Sequence, residues 1–185
     1  MDILTKEELS KRYEEIIKRI KGGVVFIHPT DTIYGISCDA TNKRAVEKIR
    51  LLKQRPSAPF SIWAPSKKWI RENCIVDEKW LDYLPGKYTL IVKLKEKVIA
   101  SNVTNTEYIG VRIPNHWFSD IVTNLNKPII TTSANKTGDS FMISLETLDK
   151  DVEAGVDFMI YEGEKKGKPS TIINTEIEEF KEREK

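Results

Sequence analysis

Two cysteines and two histidines are all that 185 residues offer as soft metal ligands. Cys38 and Cys74 lie far apart, outside any C-x-x-C pattern, and His28 and His116 are equally isolated. A zinc site needs several such ligands gathered at one place, so none is expected. The cysteine spacing predicts reduced, half-buried thiols of an intracellular protein and no disulfide framework. Long apolar runs are also missing. No stretch approaches the ~20 residues of a membrane span. The start, MDILTKEELSKRYEE, is polar and has no apolar core of a secretory leader. No membrane association is expected, and the predicted location is cytoplasmic. The sequons Asn102-Val-Thr104 and Asn135-Lys-Thr137 are then chance matches.

An excess of one charge is absent as well. Thirty basic and 28 acidic residues leave a net charge of +2. That balance creates no whole-molecule field for nucleic acid, although a local basic surface and a weak RNA contact stay open. No G-x-G-x-x-G follows a strand, which leaves a Rossmann site unsupported. Gly163 to Ser170, GEKKGKPS, resembles a P-loop only superficially. Three residues separate its glycines where four are required, and Pro169 stands where a Ser or Thr would hold magnesium. Any triphosphate must be bound another way.

What is present describes a soluble globular chain: 39% hydrophobic and 31% charged residues. Its length suits one domain, residues 1–185. A chain of this size buries about two-thirds to 70% of its unfolded surface. Thr5 and Glu8 form a capping-box pattern, and Leu9, Tyr13, Ile16, Ile17 and Ile20 follow at helical spacing until Gly22-Gly23. Val24 to His28 reads as a buried strand ended by Pro29. Asn42 is a plausible cap for a helix carrying Ala45, Ile49 and Leu52, which Pro56 cannot continue. Phe60 to Ala64 is a short strand. Ser66 caps a helix with Trp69 and Ile70, and a further short helix spans Trp80 to Leu84 before Pro85-Gly86. Strands are predicted at 88–94, 108–114, 128–133, 157–161 and 170–174. Helices are predicted around Phe118 to Leu125 and from Ser144. The charged segment EIEEFKEREK reads as a frayed surface end. Interspersed strands and helices argue for an α/β fold with a mixed sheet.

Five places offer chemistry. PTDTIYG, at 29–35, follows a buried strand. There Thr30, Asp31, Thr32 and Tyr34 present hydroxyls and a carboxylate toward a crevice, or merely cap the loop. Lys53 and Arg55 end a helix and suit phosphate oxygens, or simply complement the helix C-terminus. Ser133 and Asn135, exposed by a turn after an apolar strand, can read a base or ribose, or form an ordinary Asx/ST turn. Arg112 inside an apolar strand needs a salt-bridge partner or a substrate carboxylate. Ser170 lies where a Gly- and Lys-rich loop meets a strand, a place that also suits a plain surface loop. Tryptophans 63, 69, 80 and 117 read as core or edge anchors, since no basic stripe is interleaved with them.

Taken in order, these segments resemble the YrdC-like family of threonylcarbamoyl-AMP synthases. The match comprises PTDTIYGISCDATN at 29–42, the K-x-R of Lys53 and Arg55 with Pro56, and PGKYTLIVK at 85–93. It continues through GVRIP at 110–114, TTSAN at 131–135 and PSTIIN at 169–174, and covers about residues 10–176. The resemblance implies an α/β YrdC-like fold, a twisted mixed sheet with helices around a large open cavity. It implies synthesis of threonylcarbamoyl-adenylate from L-threonine, bicarbonate and ATP. That is the first step of threonylcarbamoyladenosine formation at position 37 of tRNAs reading ANN codons. By the same resemblance, Lys53, Arg55, Ser133 and Asn135 bind ATP, with Lys53 and Arg55 catalytic. Thr30, Thr32, Tyr34, Arg112 and Ser170 line the threonine and carbamate region. Mg2+ is expected on the ATP phosphates, and the tRNA threonylcarbamoyl-transferase machinery is the expected partner. The alternatives are a structured-RNA binding module using the same cavity, or a related carbamoyl-transfer enzyme. Three departures stand out: a K-x-R loop one residue short, Trp63 near a place where some members carry histidine, and Asn174 for a frequent aspartate. The chain resembles the short, single-domain members.

Overall fold

Alternation along the strands decides the architecture. In YTLIVKL, Leu90 and Val92 are buried in the main core cluster while Thr89 and Ile91 face the other way. The same alternation recurs in the neighbouring strands. Ile36, Ile62, Ile109, Val111, Ile130 and Ile173 join that core. Gly35, Ser61, Gly110, Arg112, Thr131 and Ile172 point to the opposite face, where they line a cavity.

The computed structural model describes residues 1–183. Among them are strands β1 (Asp2–Leu4), β2 (Phe26–His28), β3 (Gly35–Ser37), β4 (Ser61–Trp63), β5 (Cys74–Ile75), β6 (Tyr88–Leu94), β7 (Tyr108–Arg112), β8 (Ile129–Ser133), β9 (Phe158–Ile160), β10 (Thr171–Asn174) and β11 (Glu179–Lys181). They form a single mixed sheet in the order β1-β9-β2-β3-β8-β4-β7-β6-β10-β11, with β5 paired to β6. Four of the pairs are parallel (β1/β9, β2/β9, β4/β7, β6/β10) and the others antiparallel.

The helices are α1 (Lys6–Lys11), α2 (Tyr13–Lys21), α3 (Lys43–Lys53), α4 (Lys67–Asn73), α5 (Glu78–Leu81), α6 (Ser119–Leu125) and α7 (Lys150–Gly155). Ile16, Ile17 and Ile20 of α2 and Ile121, Val122 and Leu125 of α6 bury a second cluster around Phe26, Trp63, Phe118 and Phe158. These helices cover only part of their face of the sheet, and the uncovered remainder is the cavity floor. The main core lies on the other face, under α3, α4, α5 and α7. None of the helices is long and apolar enough to cross a membrane.

Local signals account for many boundaries. Thr5 and Glu8 make the reciprocal capping box. Asn42 accepts from the amides of Arg44 and Ala45, and Ser66 from Trp69. The first helical run is not continuous, because Arg12 leaves helical geometry between α1 and α2. The helix expected at 80–84 lies earlier, at 78–81. Cys38 and Cys74, expected half-buried, are fully inside. Burial pushes both thiols up, Cys74 to about 12. The charged end is exposed as expected, yet it adds a strand. β11 pairs with β10, and Phe180 packs on Trp80 and Tyr83. The last two residues of that segment lie outside the described ones.

Candidate active site

The cavity has a volume of about 210 Å³ and a floor of small side chains. Gly110 is small for a reason. A Cβ there would sit 2.3 Å from the Ser61 hydroxyl oxygen and 3.1 Å from a Thr89 methyl. Three guanidinium-bearing residues, Arg55, Arg112 and Arg183, line the cavity, and among the described residues no carboxylate lines it. Burial depresses the pKa of all three, that of Arg112 to about 10. Arg55 and Arg183 therefore offer anions desolvated positive charge, which acts more strongly than the same charge in water.

Arg55 owes its place to the end of α3. Gln54 adopts a left-handed conformation (φ 51°) and turns the chain, so Lys53 and Arg55 point to different places. Arg50 then fixes the following loop. Its guanidinium donates to the carbonyls of Arg55 at 2.8 Å, Ala58 at 3.1 Å, Asn102 at 2.7 Å and Val103 at 3.3 Å. Arg55 itself lies over Phe60 and donates one bond, to the Pro59 carbonyl at 2.5 Å. Its Nε is buried and has no partner among the described residues.

Lys53 turns inward. Its Nζ donates to the carbonyls of Ser133 at 2.6 Å and Asn135 at 2.7 Å, and to Asn135 Oδ1 at 3.3 Å. Burial, with repulsion from Arg55, pushes this ammonium down to about 7. The three oxygens pull the other way. Three acceptors ask for three N–H groups, which only the ammonium supplies, so the charged form is favoured. Ser133 lines the cavity and donates to Asn135 Oδ1 at 2.5 Å. Asn135 is 5% exposed and donates to the Asp139 carbonyl at 2.6 Å. Lys53, Ser133 and Asn135 are thus one unit, a turn held from behind by a buried cation.

Thr30 and Tyr34 also line the cavity. The Thr30 hydroxyl donates to the Ile33 carbonyl at 2.7 Å and accepts from the Thr32 amide at 3.0 Å. Thr32 itself is buried behind it. The Tyr34 hydroxyl bolts the 162–169 loop in place, donating to the Gly163 carbonyl at 2.6 Å and accepting from the Glu162 amide at 3.1 Å. Burial raises this phenol to about 12. The loop comes so close that a Cβ on Gly167 would sit 2.2 Å from the Thr32 carbonyl oxygen, which reserves that position for glycine. Ser170 is fully buried. Its Oγ lies 2.7 Å from Thr89 Oγ1 and accepts from Arg183 at 2.7 Å.

Arg112 has its partner. Its guanidinium donates to Asp31 Oδ1 at 2.7 Å, with both side chains under a tenth exposed. The other Asp31 oxygen accepts from the Asn115 amide at 2.9 Å. A buried pair of this kind is held by geometry and extra hydrogen bonds, not by net Coulomb gain. The sequence singled out Arg112 and Asp31 separately but gave no hint that they pair across 81 residues. Arg183 was missed altogether, since it sits in a charged tail without periodicity. Gly110 carried a usable signal, because a glycine inside a strand marks close backbone approach or a ligand surface.

Comparison with known proteins fits this geometry. A profile of the Sua5, YciO and YrdC proteins, described as "Telomere recombination", matches residues 18–182. A putative threonylcarbamoyl-AMP synthase of Methanocaldococcus jannaschii is 38% identical over 180 residues, 94% of this chain and 84% of that protein. The threonylcarbamoyl-AMP synthase of Vibrio campbellii is 30% identical over 177 residues, 88% of this chain and 93% of its own. Among solved structures, P. abyssi Sua5 complexed with L-threonine superposes with a TM-score of 0.82 at 24% identity. That match covers 94% of this chain but 53% of Sua5, so the chain spans about half of that protein.

Proposed function

The chain belongs to the Sua5–YciO–YrdC family, and we propose that it joins L-threonine, bicarbonate and ATP into threonylcarbamoyl-AMP, releasing pyrophosphate. The observation that carries this reading is the cavity: three arginines, with no lining carboxylate among the described residues, over a floor of hydroxyls and glycines. Such a site suits a reaction in which every reactant is an anion or becomes one.

The threonine amine, once neutral, combines with bicarbonate to give a carbamate and water. A carbamate oxygen then bonds to the α-phosphorus of ATP. The bond from that phosphorus to the bridging oxygen breaks, and the electron pair leaves with pyrophosphate. Charge builds on the phosphoryl oxygens and on the leaving group, where fixed cations lower the barrier. Arg55 and Arg183 are assigned to that charge. Arg112, held by Asp31, orients the threonine end with Thr30 and Tyr34. Lys53 acts through the turn. It fixes the Ser133 hydroxyl at the cavity wall, with Asn135 behind it, and Ser170 similarly orients Arg183. Alignment of reactants supplies much of the remainder, on the order of 7–11 kcal/mol in well-oriented systems.

Among the described residues no carboxylate lines the cavity, so its lining offers no cage for a divalent cation. Magnesium would arrive on the ATP phosphates with its own waters, and no step is routed through it here. The product is an activated acyl group, so an acyl-transferring enzyme is the expected consumer, and the family resemblance makes tRNA its acceptor. The test is pyrophosphate release with threonine or bicarbonate omitted in turn. Release is expected only with both present, and carbamoyl phosphate should not replace them. Equal release without threonine would overturn the reading.

A further inference from the structure

A second pocket, about 380 Å³, opens beside the cavity and is lined by Lys87, Lys166, Lys168 and Arg183. The sheet brings these cations together. Lys87 precedes β6, Lys168 precedes β10, and Arg183 follows β11. The three strands are neighbours, with β6 and β10 parallel and β11 antiparallel to them. All three cations therefore lie at the same end of the sheet. Among the described residues, Glu182 is the one carboxylate on the pocket wall. Among the described residues, none of the four cations has a carboxylate within salt-bridge distance, whereas lysines 79, 93, 127, 136 and 165 do. Arg183 lines this pocket and the cavity alike, so a single side chain stands between the two. The wall between them is fixed by the Arg183 bonds to the Ser170 carbonyl at 3.0 Å and hydroxyl at 2.7 Å. The seating of Gly167 on Thr32 fixes the loop that carries Lys166 and Lys168.

We propose that Lys87, Lys166, Lys168 and Arg183 form a pyrophosphate-binding subsite that receives the leaving group as it separates from the α-phosphorus. The proposal rests on the reaction assigned above, in which pyrophosphate is the leaving group. Its departure from between Arg55 and Arg183 is favoured by a neighbouring pocket lined with cations, and this pocket supplies them. Exposed ammonium groups hold such an anion weakly and let it go, which suits product release. A concave pocket of this size fits a short polyphosphate better than an extended nucleic-acid backbone.

The test compares wild type with the triple variant Lys87→Ala, Lys166→Ala, Lys168→Ala, which spares the cavity residues. Titration calorimetry measures binding of inorganic pyrophosphate and, separately, of AMP. Pyrophosphate affinity should fall about tenfold, as three exposed charge contacts add up to, while AMP affinity stays as in wild type. Product inhibition by pyrophosphate should weaken in parallel, and the triple Lys→Arg variant should restore both. Unchanged pyrophosphate affinity in the alanine variant would overturn the proposal. So would loss of binding to a short RNA with pyrophosphate binding intact. If ATP turnover proved independent of threonine, the reaction assignment would fail, whereas the binding comparison would still report on the pocket itself.

Discussion

Arg55→Ala is expected to lower turnover by about a hundredfold, the usual cost of removing one well-placed transition-state donor, while leaving the unfolding midpoint near that of wild type. The loop of Arg55 is already fixed by Arg50, which donates to four carbonyls across 55–58 and 102–103. Arg55 itself gives one bond to protein, at Pro59, and rests its guanidinium on Phe60. The remaining charge faces the cavity. Removing it therefore takes a cation from the phosphates and little from the fold. Steady-state turnover together with thermal unfolding separates the two effects. Wild-type turnover in the variant would remove Arg55 from the chemistry. A large fall in melting temperature would make it a structural residue instead.

Lys53→Met should do the reverse, costing stability first. Methionine preserves length and apolar bulk but donates nothing. The carbonyls of Ser133 and Asn135 then lose a buried donor, each at about 1–3 kcal/mol, for a total near 3 kcal/mol. For a chain of this size that is roughly a 10 °C fall in melting temperature. Turnover should fall as well, because Ser133 and Asn135 are set by the same bonds. Denaturant unfolding reads the stability. A variant as stable as wild type but inactive would mean that Lys53 meets the phosphates directly and that its inward bonds are incidental.

The difference between these two neighbours marks how far the sequence could be read. Lys53-Gln54-Arg55 was legible as a cationic pair at a helix end. The left-handed turn at Gln54 that separates their roles was not, because glutamine carries no bias toward that conformation. Strands with strong period-2 patterns, such as Tyr88–Leu94 and Ile129–Ser133, were readable to within a residue or two, as were the caps at Thr5, Asn42 and Ser66. The strands that escaped are stabilised by partners distant in the chain. β1 pairs with β9 over 150 residues away, and β3 sits between β2 and β8 in a polar, small-residue segment. β11 is a charged stretch held by β10 and by Phe180 on Trp80. Tertiary pairing overrides weak local preference in each case. The same limit applies to the site. Thr30, Tyr34, Arg55, Arg112 and Ser133 were singled out and do converge on one cavity. Ser61, Thr89 and Arg183 join them only because the sheet places three distant strand ends together.

The most direct measurement of the central claim is mass spectrometry of the product formed from ATP, L-threonine and isotopically labelled bicarbonate. The account predicts one new species containing AMP, threonine and the labelled carbon, formed in step with pyrophosphate. Consumption of ATP without any species that joins all three would contradict it.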